Sequence, residues 1–176
     1  LKKKLVSIVL VFFAIGFIFY NSSKVGNESN NLSKGIINKV MDSKVATKII
    51  SKANTYLDKD LNKDKILDKL NFILRKSAHS IEFGFLAIML LIALSCFNFK
   101  AREIIMYSLF FVLFFAVLDE FYQLHILGRT SSVKDVLIDF CGGIIGTCMY
   151  SIFNVRSLTK VSKGNLNKAS KKKAVI

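Results

Sequence analysis

Four stretches of the chain are apolar over 18 to 24 residues each: Leu5 to Ser23, Ser77 to Phe99, Ile104 to Leu127 and Val136 to Phe153. The first contains no charged residue. The second is interrupted by His79 and Glu82, the third by Asp119, Glu120 and His125, and the fourth by Asp139. At 1.5 Å of rise per residue, runs of this length are about 27 to 36 Å long as helices, enough to cross a hydrocarbon layer of roughly 30 Å. The pattern therefore predicts an all-α fold, a membrane-spanning four-helix bundle. Lys2, Lys3 and Lys4 precede the first run, a layout shared by signal peptides and signal anchors. No small-x-small pattern follows Phe19, so the run reads as an uncleaved N-terminal anchor helix over residues 1–23.

Between the first two runs, residues 24–76 carry 12 Lys and Arg against 6 Asp and Glu. Asn27 to Ser33 reads as a loop. Beyond it, Ile36, Ile37, Val40, Met41, Val45, Ile49 and Ile50, and then Leu57, Leu61, Ile66, Leu67, Leu70, Ile73 and Leu74, recur at helical spacings among lysines. This predicts an amphipathic helical outer segment with basic polar faces, resting on the bilayer surface or the bundle. Residues 77–153 hold the remaining three spanning helices. Residues 154–176 form a basic tail with seven positive charges and no acid. With positive charge at both ends and an even number of spans, the positive-inside rule predicts a multi-pass protein of the cell membrane with both termini cytoplasmic. The outer segment's net +6 runs against that rule, but at about 53 residues it is near the length at which the rule ceases to count.

Composition narrows the function classes. The chain is 52% hydrophobic and carries a net charge of +14, too apolar for a disordered basic tail and too basic for an ordinary core, which makes the lipid bilayer its first partner. The tail has no aromatic residue on which to stack bases, so no nucleic acid partner is expected. Cys96, Cys141 and Cys148 lie inside apolar runs, away from disulfide or zinc spacings, and read as buried small hydrophobes. No cofactor is implied, and no fixed metal site follows from residue spacing. Proline and tryptophan are absent, leaving Tyr20, Tyr107, Tyr122 and Tyr150 near helix ends as the interfacial aromatics.

Alternating helix directions bring the start of the second helix, the end of the third and the start of the fourth to one side of the membrane, the outer one. The candidate polar cluster lies there: Arg75, Lys76, His79 and Glu82; Asp119, Glu120 and Gln123; Arg129, Asp135 and Asp139, with Lys134 beside them. Residues three or four apart share a helix face, which groups Arg75, His79, Glu82 and Leu86, then Ala116, Asp119 and Gln123, with Glu120 offset by about 100°. Asp135, Asp139, Gly142 and Gly146 form a third stripe, and the Gly142 to Gly146 spacing is that of a close helix contact, so Asp139 is expected to face protein. A mid-membrane charge costs roughly 2.5 to 3.5 kcal/mol, so the five acids need partners, and the nearby Lys and Arg residues are available.

Three blocks in this order carry a family resemblance: Arg75 to Phe83, Asp119 to Gln123, and Gly128 to Asp139, closing with Gly142 and Gly146. Over about Asn21 to Phe153 the chain resembles the VanZ-like membrane proteins, the serine-spotted stretch of Ser22, Ser29 and Ser33 included. It departs from the family at Tyr122, where a His is frequent, at Leu127, where a Pro is frequent, and at Asp139, where an Asn is usual. The resemblance implies a multi-spanning bacterial membrane protein, whose namesake raises resistance to the glycopeptide teicoplanin by an undefined mechanism.

Two functions fit these residues. In the first, favoured here, a non-enzymatic protein holds a lipid-linked or anionic envelope ligand on Arg75, Lys76 and Arg129, since guanidinium groups suit phosphate and carboxylate. In the second, an enzyme acts on a lipid-linked phosphate or cell-wall precursor, with His79 or Glu82 as general acid or base and Asp119, Glu120 or Asp139 holding a divalent ion. The sequence carries no signal for an oligomeric state.

Overall fold

In the computed structural model of the chain, residues 2–24, 35 and 63–153 are described. They form four helices in the order α1 (Lys2–Ser22), α2 (Lys63–Ser95), α3 (Ala101–Gln123) and α4 (Val133–Phe153), with no strand among the described residues. All four are long and apolar enough to cross a membrane, the relevant part of α2 being Lys69–Ser95.

Helix ends depart from the apolar runs for local reasons. No Pro, Gly or capping turn interrupts Lys63 to Ser77, so α2 passes without a break through the boundary expected between Lys76 and Ser77. The spacings from Ile36 to Ile50 and at Leu57 and Leu61 lie outside the described residues, as do residues 154–176. At the other membrane face Lys100 N–H donates to Glu103 Oε2 at 2.7 Å, half of a capping box that starts α3. The third apolar run extends to Leu127, yet α3 stops at Gln123. Leu124 to Ile126 turn instead, and Gly128 takes a φ of 76°, a left-handed conformation that glycine adopts without a steric penalty. Ser132 then starts α4, its Oγ accepting Lys134 N–H at 3.2 Å.

The α1 and α2 helices run antiparallel, joined by Ser7 to Cys96 at one end and Asn21 to Glu82 at the other. By contrast α2 and α4 run parallel and very close, with Ser80 Oγ donating to Ile138 O at 3.2 Å. A Cβ added at Gly142 would overlap the Ser80 carbonyl, and one at Gly146 the Gly84 carbonyl. Small residues on both helices thus let the backbones meet. On α3 the buried positions Ile104, Ser108, Val112, Ala116, Asp119 and Gln123 fall three or four apart, and Ser108 Oγ donates to Ala87 O at 3.2 Å.

Ile18, Phe83, Leu86, Leu90, Val112 and Ala116 fill the centre. Meanwhile Phe12, Phe13, Phe110, Phe114, Ile145 and Ile152 point outward, and Ser22, Asp119, Glu120, Gln123 and Asp139 are buried. Apolar outside and acidic inside is the reverse of a water-soluble fold and suits a lipid surround. The cysteine expectation is corrected by the same inversion. Cys141 and Cys148 are exposed on α4 and Cys96 is half-buried, because an apolar thiol on an outward face is no liability in lipid.

Candidate functional site

The chain directions bring the end of α1, the part of α2 around Arg75 to Glu82, the end of α3 and the start of α4 to one end of the bundle, where the polar residues interlock. Glu82 receives Asn21 Nδ2 at 2.7 Å on one oxygen and lies 3.0 Å from His79 Nδ1 on the other, the i,i+3 spacing setting the second contact. Gln123 Nε2 donates to Asp119 Oδ2 at 2.6 Å and to Ser22 Oγ at 3.4 Å. Across the bundle, Lys76 of α2 pairs with Asp135 of α4. Glu120 Oε2 accepts the Ser132 N–H at 2.9 Å, tying α3 to the cap of α4. Arg75 is half-buried, and Lys134 is exposed.

Arg129 departs from its expected ion pairing. Its Nε donates to Lys24 O at 3.3 Å, Nη2 to Asn21 O at 3.3 Å and Nη1 to Gln123 Oε1 at 3.4 Å. The guanidinium thus caps the C-terminal carbonyls of α1, where the helix dipole is negative and main-chain acceptors lack intrahelical partners. Burial and the charge of Arg75 lower its pKa from the ordinary value, while Asp119, Glu120 and Glu82 raise it.

The acids gather more closely than the helix faces implied. One oxygen each from Asp119, Glu120 and Asp139 lies within 4.8 Å of the others, and the three residues are 0%, 3% and 2% exposed. The 100° offset of Glu120 does not separate it from Asp119, because its carboxylate bends toward the chain returning into α4. Three carboxylates so placed, were all of them ionised, would repel by about 3.5 kcal/mol or more per pair at an effective dielectric constant near 20. Asp119 Oδ1 is buried with no hydrogen-bond partner.

Sequence reasoning left Asn21, Ser22, Ser80 and Ser132 out of the candidate cluster. A signal existed for the first two, as polar residues closing an apolar run, and for Ser80, which stands four residues before Gly84 in a small-xxx-small pair. Nothing in the spacing marked Ser132 as the partner of Glu120. His125 is exposed, with Nδ1 3.2 Å from Phe121 O.

No curated protein and no solved structure matches the chain. The family model described as VanZ/LLP1 matches residues 7–154, from within α1 to the end of α4. This span extends the resemblance, which began at Asn21, into the first helix, and with four spanning-type helices it makes the chain a membrane protein of VanZ type. The chain belongs to the VanZ/LLP1 family.

Proposed function

We propose that this protein sits in the cell membrane with both termini cytoplasmic, that its polar end meets the outer leaflet, and that this end binds the anionic headgroup of a lipid-linked envelope molecule. Such binding contributes to tolerance of lipid-bearing glycopeptides such as teicoplanin. In this reading residues 1–23 anchor the chain, 24–76 form the outer amphipathic segment, 77–153 carry the binding core and 154–176 hold the inner leaflet through lysine and arginine.

One observation carries the reading: two apolar grooves run beside the polar end, and the first reaches the polar cluster at Glu82. The first, of about 300 Å³, is lined by Phe13, Phe17, Ile18, Ile81, Glu82 and Phe85. The second, of about 250 Å³, runs past Ser80, Gly84, Ile88, Gly142 and Met149. Ile81 and Phe85 form the ridge between them. Acyl chains fit such grooves, which would set a headgroup level with His79, Glu82 and Lys76. A second reading, an enzyme acting on a lipid-linked phosphate, draws on the His79 to Glu82 pair, a histidine oriented by a carboxylate beside a groove.

The test is teicoplanin tolerance and membrane abundance measured together for Glu82→Gln and His79→Gln in a susceptible host. Binding or chemistry at the cluster predicts lost tolerance at unchanged abundance. Full tolerance in both variants at normal abundance would remove the cluster from the function.

A further inference from the structure

We propose that Asp119, Glu120 and Asp139 form a binding site for one hard divalent cation of the Mg²⁺, Mn²⁺ or Ca²⁺ class, held between α3 and α4. The three carboxylates offer oxygens within 4.8 Å of one another, and oxygens about 2.1 to 2.5 Å from a shared cation lie no farther apart than roughly 5 Å. Adjacency of acids does not make a site, but here a buried oxygen is left over. Asp119 is fully buried, its Oδ2 is taken by Gln123, and its Oδ1 has no hydrogen-bond partner.

Three neighbouring basic side chains have partners of their own. Lys76 pairs with Asp135, Arg129 forks onto the α1 carbonyls and Gln123, and His79 faces Glu82. A divalent ion would supply positive charge at the point where the three carboxylates converge. The donor set identifies the class. Carboxylate oxygens alone, without thiolate or imidazole, favour hard ions over zinc or copper. Three protein ligands leave coordination positions open, and these suit water or a phosphate oxygen. Only that last step rests on the headgroup reading; the ion site stands without it.

The experiment uses the full chain, purified in detergent, stripped with a chelator and titrated with Mn²⁺ while the free-ion signal is followed by electron paramagnetic resonance. One Mn²⁺ per chain is expected, displaced by Mg²⁺ or Ca²⁺. Asp139→Asn and Asp119→Asn should weaken binding by about tenfold or more, whereas Glu103→Gln, at the opposite end of α3, should leave it unchanged. No saturable Mn²⁺ binding to the wild-type chain overturns the proposal whatever the variants do. Equal binding by wild type and a folded Asp139→Asn chain, with helical content checked on the same sample, also overturns it. Because no lipid-linked molecule enters the titration, failure of the headgroup reading leaves its outcome untouched.

Discussion

Arg129 ties the turn after α3 to the end of α1 across 105 and 108 residues of sequence, through the carbonyls of Lys24 and Asn21. A planar fork reaching three acceptors suits arginine and not lysine. Arg129→Gln should therefore lower stability by on the order of 2 kcal/mol, since hydrogen bonds from a charged donor are worth about 1.5 to 3 kcal/mol. Arg129→Lys should recover only part, keeping the charge at the α1 C-terminus but losing the fork. Thermal unfolding of the purified chain followed by circular dichroism measures both. Unfolding of Arg129→Gln at the wild-type temperature would contradict the capping role. Sequence reading did put Arg129 beside Asp119, Glu120 and Glu82, because alternation of spanning helices sets which ends meet. It could not show which acceptors the guanidinium takes, since those are main-chain carbonyls, and main-chain atoms look the same at every position.

The four helices were legible as elements because lipid demands long apolar runs, and a run's length is visible without tertiary information. Their ends were less so. Leu124 to Leu127 are as apolar as the helix before them, yet they turn, since Gly128 and the return into Ser132 set the chain direction there. Helical spacing before Lys76 was legible, but its continuity with the span after Ser77 was not, because a change in composition at Lys76 looks like a boundary, whereas the backbone needs a breaker to stop. Contact between α2 and α4 was half legible. The Gly142 to Gly146 spacing marks a face for close approach, but its partners, Ser80 and Gly84, emerge only from the parallel register. Gly142→Leu and Gly146→Leu should each push the two helices apart, with a cost of about 1 to 3 kcal/mol or more from overpacking. A fall in membrane abundance should follow. Gly16→Leu, on α1, has nothing within 4 Å of its added Cβ and should be tolerated. Equal abundance of all three variants would mean that α2 and α4 do not meet through these glycines.

At the scale of the whole molecule, the placement of charge links sequence to function. Five acids, a histidine and several cations collect at one end of a bundle whose helix faces turned outward are rich in phenylalanine, isoleucine and leucine. The polar end gains access to an extracellular ligand only if it lies at the outer leaflet, and that orientation rests on basic residues at both termini. Labelling in intact cells tests it most directly. With Cys96, Cys141 and Cys148 replaced by alanine, a single cysteine is introduced by Thr130→Cys, in the exposed turn beside Arg129, or by Ser170→Cys in the basic tail. An impermeant thiol reagent should modify the chain carrying Thr130→Cys in intact cells, and the one carrying Ser170→Cys only after lysis. Labelling of Ser170→Cys in intact cells, with Thr130→Cys protected until lysis, would put the polar cluster on the cytoplasmic side and contradict the account.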